Sequence, residues 1–213
     1  MESQIREPVP DGLTVIETMR QEPDGSIALW PMHLSRLRRD CAAVGFPLDE
    51  DAVAAVLAHR PEATTRLRLT VDSAGRVGAT RAPLPPNPPF WRIEIASVRL
   101  RSGDPWLRIK TSHRPAYDAA RAALIAGIDE ALLLNEAGEV CEGTITNLFL
   151  SRDGQLLTPR LAAGLLPGVL RESLISGGEA VEAALYPDDL DDGALYMGNA
   201  LRGLIPATLD PAT

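Results

Sequence analysis

The chain has 213 residues, of which 45% are hydrophobic and 23% charged, and a formal net charge of −8. That is globular composition with room for one large domain or two small ones, and its acidity argues against a general binder of nucleic-acid phosphates. No apolar run approaches the roughly 20 residues a membrane span needs, and Met1–Glu7 has no signal-like apolar stretch, so the expected location is the cytoplasm. Cys41 and Cys141 lie outside any CxxC pattern and read as buried apolar residues; His33, His59 and His113 lack ligand spacing, so no metal site is expected.

Leu13–Arg20 alternates and is β-rich, Pro23–Ser26 is a turn, and Ile27–Trp30 is a second short run that Pro31 ends, which predicts a hairpin. Leu34, Leu37, Cys41 and Val44 recur at helical spacing and stop at Gly45; a second helix is expected over 49–59, with Asp49 or Asp51 as its cap. Arg66–Val71 alternates, turns at Asp72–Gly75 and returns over 76–80. Pro83–Pro89 is too proline-dense for a helix or a central strand. Trp91–Leu100 resumes strand alternation, which puts the expected domain boundary near Gly103–Asp104. Beyond it, Tyr117–Ala126 reads as a helix ending at Gly127, and strands are expected over 130–135, 140–144, 146–150, 156–158, 181–186 and 195–199. Gly164–Gly168 opens a helix over Val169–Ser176. The fold class is therefore α+β or α/β, with a smaller α+β domain over 1–103 and a larger strand-rich one over 104–213.

One count singles out a stretch. Of twenty-one Lys and Arg residues, only Lys110 is a lysine, leaving twenty arginines. A guanidinium does not lose its proton at working pH, whereas a lysine amine can do so and form a Schiff base with a carbonyl. Glu142 lies between two strands amid small and hydroxylated residues. Arg36 precedes Leu37 on an amphipathic helix. Gly164–Arg171 is a turn into a helix, a geometry whose unpaired N–H groups suit a phosphate.

Taken in order, His33-Leu34-Ser35-Arg36-Leu37, Lys110-Thr111 with Arg114 and Tyr117, Glu142 to Phe149, Gly164 to Arg171 and Asn199-Ala200-Leu201-Arg202-Gly203 resemble the motifs of the class IV (fold-type IV) pyridoxal-phosphate enzymes. These include branched-chain and D-amino-acid aminotransferases and aminodeoxychorismate lyase. Ile16–Arg20 and Asn199–Gly203 look most like the lyases. The resemblance implies two α/β units, the second barrel-like, with pyridoxal 5′-phosphate as cofactor. It implies Lys110 as the catalytic Schiff-base lysine, Glu142 facing the pyridine nitrogen and Arg36 on the phosphate. The N–H groups of Val169 and Leu170 and the Asn199–Ala200 turn would serve the same phosphate. Ala200 has no hydroxyl, so any contact there falls to the backbone. Arg99, Arg101, Arg108 and Arg114 are candidate binders of a substrate carboxylate.

The implied activity is cleavage of 4-amino-4-deoxychorismate to 4-aminobenzoate and pyruvate in folate synthesis. An aminotransferase of branched-chain or D-amino acids is the alternative. A catalytically silent relative that acts as a binding protein is the third reading. The partners implied are a small-molecule amine, a second copy in a homodimer and an aminodeoxychorismate synthase, with no nucleic acid and no membrane.

Overall fold

A computed structural model describes Ile5 and residues 8–210; apart from Ile5, the leading Met1–Glu7 lies outside the described residues. The chain forms two compact units. One is Met1–Pro86 with Ile109–His113, the other Asn87–Arg108 with Arg114–Thr213.

In the first unit, β1 (Thr14–Gln21), α1 (Trp30–Val44), α2 (Glu50–Leu57), β2 (Thr65–Asp72) and β3 (Val77–Pro83) follow one another, and the strands form an antiparallel sheet in the order β1-β2-β3. Alternation does the sorting: Val15, Met19, Leu67, Leu69 and Val71 are buried on one face while Arg20, Arg66 and Arg68 are exposed on the other. The expected hairpin is not made. Ile27 forms only an isolated bridge to Gln21, and Trp30 opens α1 with Pro31 in the first turn, where a missing N–H costs nothing. Gly45 ends α1 at φ 74°, a conformation only glycine adopts without strain. Asp49 caps α2 through the N–H groups of Asp51 and Ala52, both at 3.0 Å.

The second unit holds β4 (Trp91–Leu100), α3 (Pro115–Ala122), β5 (Glu130–Asn135), β6 (Val140–Gly143), β7 (Asn147–Arg152), β8 (Gln155–Pro159), α4 (Val169–Ser176), β9 (Ala180–Ala183), β10 (Ala194–Asn199) and β11 (Gly203–Leu209). Its sheet runs β10-β11-β4-β5-β6-β7-β8-β9, and β10 also pairs with β7, which closes six strands into a ring. All of β5 is buried because its faces serve two cores: Leu132 and Leu134 join Ile93, Leu148, Leu150 and Met197, while Ala131 and Leu133 join Leu100, Ala120, Cys141 and Leu165. Each such leucine contributes about 1.5–3 kcal/mol of burial. The strand β11 lies outside the expected ones and holds Pro206, opposite Tyr196.

The expected boundary at 103–104 is displaced. Parallel pairing with β5 and β11 commits β4 to the second unit, whereas residues 109–113 belong to the first because they bond to β1. The helix expected over 117–126 is also earlier and shorter, since Pro115 starts it and it stops at Ala122. Among the described residues, no helix is long and apolar enough to cross a membrane.

Candidate functional site

Lys110 belongs to the first unit, on a segment that runs antiparallel to β1. Thr111 bridges Val15, the Ile16 N–H donates to the Lys110 carbonyl at 2.8 Å and the Ser112 N–H to the Thr14 carbonyl at 2.9 Å. The Lys110 N–H donates to Asp40 Oδ2 at 2.8 Å. Both main-chain polar groups of the one lysine are thus tied, one to a strand and one to a buried side chain, so its Cα has a set position. Asp40, on α1, is fully buried and also accepts from Arg39 Nε at 3.1 Å. Burial pushes its carboxyl above the usual carboxylate range, against the pull of Arg39 and of the Lys110 N–H.

One turn earlier on α1, Arg36 donates from Nε and Nη2 to Glu17 Oε1 and Oε2 at 2.7 and 2.6 Å, and His33 Nδ1 lies 2.7 Å from Glu17 Oε2. All three side chains are buried. Burial would raise the Glu17 carboxyl, but the Arg36 guanidinium and the His33 ring outweigh it and lower its pKa from 4.5 to about 2. The two-point fork fixes the plane of the guanidinium.

The second unit carries the other predicted residues. Glu142, on β6, is buried; its Oε1 accepts from Tyr117 Oη at 2.6 Å and from the Leu166 N–H at 2.9 Å, and its Oε2 from Asn147 Nδ2 at 3.3 Å. Burial and the Glu142 charge raise the Tyr117 hydroxyl well above its ordinary value, so it remains a donor. Asn147 Nδ2 also donates to the Leu166 carbonyl at 3.1 Å, which ties the carboxylate to the turn leading into α4. That helix begins at Val169 with Gly168 as its cap, and no side chain caps its first N–H groups. A Cβ at Gly168 would lie 1.9 Å from Asn147 Oδ1, so glycine is what lets the turn approach β7.

Asn199 closes β10. Its Oδ1 accepts from the N–H groups of Leu201 and Arg202 at 3.1 and 3.0 Å, and its Nδ2 donates to the Ile145 carbonyl at 3.1 Å. The side chain of Asn199 shapes the turn that contains Ala200. Of the four candidate arginines, Arg114 donates to the Thr144 carbonyl and stacks 4.4 Å above the Tyr117 ring, and Arg99 donates to the carbonyls of Ala96 and Val98.

Residues 14–209 match the family described as "Amino-transferase class IV". The chain belongs to the class IV aminotransferase family. Its fold is that of the fold-type IV enzymes, it is an enzyme of this class, and members of the family use pyridoxal 5′-phosphate. A solved structure from Mesorhizobium loti, named "Putative amino-acid aminotransferase", is 44% identical over 93% of this chain and all of that one, with a TM-score of 0.89. A Schizosaccharomyces pombe protein named "Putative aminodeoxychorismate lyase" is 29% identical over 87% of this chain and 86% of its own. The "Probable branched-chain-amino-acid aminotransferase" of Thermotoga maritima is 30% identical over 79% of this chain, which spans 64% of it.

The donor set suits this cofactor. Its aldehyde needs a primary amine, its ring nitrogen an anionic acceptor, and its phosphate N–H groups and a cation. This class IV chain has one lysine, a buried carboxylate held by three donors, a helix start without a side-chain cap, and a guanidinium set in one plane. Sequence reading passed over Glu17, Asp40 and Glu130. Two of them left a trace: Glu17 is the acid at an inward position between Val15 and Met19, and Asp40 continues the polar spacing His33, Arg36 along a buried helix face.

Proposed function

We propose that this class IV enzyme is a lyase that cleaves 4-amino-4-deoxychorismate to 4-aminobenzoate and pyruvate. Bound pyridoxal 5′-phosphate supplies an aldehyde that captures the substrate amine and a ring that withdraws electrons from the neighbouring bonds. Lys110 Nζ would hold the cofactor and, as a free amine, would take the proton from the carbon that bears the substrate amine and return it to the departing enolpyruvyl group, which leaves as pyruvate while the ring becomes aromatic. Glu142 keeps a proton at the pyridine nitrogen. Tyr117, Asn147 and the Leu166 N–H hold its carboxylate for that task. Arg36, the N–H groups of Val169 and Leu170, and the Asn199–Ala200 backbone bind the phosphate. A second copy of the chain and an aminodeoxychorismate synthase are the partners this reading carries with it.

The observation that carries the cofactor part of this reading is the lone lysine, with both its backbone groups anchored. Its test is borohydride reduction of the cofactor-loaded protein followed by peptide mapping. Modification at Lys110 is expected, and in a separate assay the unreduced enzyme should release fluorescent 4-aminobenzoate from 4-amino-4-deoxychorismate; an unmodified Lys110 overturns the cofactor assignment. The aminotransferase reading has its own support in the likeness to the Mesorhizobium loti protein. Lysis returns the cofactor as the aldehyde, whereas transamination leaves it in its amine form until a keto acid arrives. Accumulation of the amine form with amino acids, and no 4-aminobenzoate, decides for the aminotransferase.

A further inference from the structure

Glu130 opens β5, whose other residues are apolar except Asn135 at its end, and none of it is exposed. A carboxylate in such a place needs several donors to offset its lost hydration. It finds them on three consecutive residues of the turn between β6 and β7. Oε1 accepts from the Thr144 N–H at 3.0 Å and from the Thr144 hydroxyl, and Oε2 from the Ile145 N–H at 3.2 Å and Thr146 Oγ1 at 3.0 Å. Its own neighbour, the Ala131 N–H, lies at 3.1 Å from Oε1, and Arg121 Nη1 at 3.4 Å.

The consequence is inverted polarity. The turn faces Glu130 with its N–H and O–H groups and leaves two carbonyls for others: Thr144 accepts from Arg114, and Ile145 from Asn199 Nδ2. The Gly143 N–H to the Thr146 carbonyl, at 2.8 Å, closes the turn. A Cβ on Gly143 would stand 2.4 Å from Thr146 Oγ1 and 3.0 Å from the Glu130 carboxyl carbon. Glu142 and Asn147 are the paired residues on either side of this turn. The two threonine hydroxyls donate inward, to the Glu130 carboxylate.

We infer that Glu130 is a positioning residue for the cofactor: it sets the 144–146 turn, and through that turn the placement of Glu142, Asn147 and Asn199. This rests on the reading of those residues given above. A role confined to stability would lower the melting temperature and leave affinity alone, because the turn would keep its shape whenever the unit is folded.

Glu130→Gln separates the two. An amide presents its NH2 to at least one N–H of the turn, leaving a buried donor unpaired. The dissociation constant for pyridoxal 5′-phosphate should rise about tenfold or more, as expected when a placement defect costs about 1.4 kcal/mol. The visible circular dichroism of the bound cofactor should weaken. Asn199→Ala should also weaken binding, and the loss in the double variant should fall short of the sum of the two single losses, because both variants disturb the link through Ile145. Thr146→Val, which removes one donor and keeps the carboxylate, serves if Glu130→Gln does not fold; it should weaken binding several-fold by the loss of one buried hydrogen bond. Unchanged affinity in the folded variants, or fully additive effects, overturns the inference while leaving Lys110 chemistry intact. A wild-type chain that takes up no cofactor overturns the underlying reading itself.

Discussion

Glu17→Gln tests the charge cluster that holds Arg36. In the folded protein the Glu17 pKa falls from 4.5 to about 2. At about 1.36 kcal/mol for each pKa unit, that difference of about 2.5 is worth about 3 kcal/mol of stability at neutral pH. The sign follows from the direction. A depressed carboxylate contributes fully above its unfolded value of 4.5, and the contribution drains away as pH falls through 4.5 towards 2. Glutamine keeps the volume but removes the carboxylate charge that faces the buried guanidinium, a loss of about 3–5 kcal/mol in comparable buried pairs. Hydrogen exchange of β2 amides in the intact chain reads the stability of the first unit. At pH 7 the opening free energy in Glu17→Gln should be about 3 kcal/mol lower than in the wild type, and the gap should narrow as pH drops from 4.5 towards 2. A gap below about 1 kcal/mol, or one that stays constant down to pH 3, would refute the electrostatic account.

Gly168→Ala should push Asn147 off Leu166 and Glu142, since the new methyl would sit 1.9 Å from Asn147 Oδ1; a loss of about 1–3 kcal/mol in urea unfolding and weaker cofactor binding are expected. Asp40→Ala removes the acceptor under the Lys110 N–H and should slow cofactor uptake, read as the rise of visible absorbance, whereas Asp40→Asn keeps an acceptor and should stay near wild type. Burial pushes the Cys41 thiol up to about 12 and the Cys141 thiol in the same direction. Neither should react with a thiol reagent at pH 8 while the chain is folded, and both should react once it is denatured.

Glu142 illustrates how far sequence reading reaches. Its motif, with Gly143 and Asn147, marks it as a candidate, but does not show the three donors that converge on it from α3, β7 and the turn before α4. Arg36 is likewise visible as part of a motif, while its partner Glu17 lies nineteen residues away and meets it only because α1 packs on β1. The false hairpin at Ile27–Trp30 came from a short apolar run beside a turn, a pattern that a helix start with Pro31 also satisfies.

By itself the sequence determined what is encoded at short range. The helix ending at Gly45, a cap at Asp49 or Asp51, the strand Glu130–Asn135 and the helix Val169–Ser176 follow from periodicity and terminators, and the candidate reactive residue follows from a count of one lysine. Only the tertiary structure decided what each buried carboxylate holds: Asp40 the Lys110 N–H, Glu17 the Arg36 guanidinium, and Glu130 the 144–146 turn. A buried acid persists only where donors from distant segments converge on it, and that convergence is a property of packing that no local spacing records.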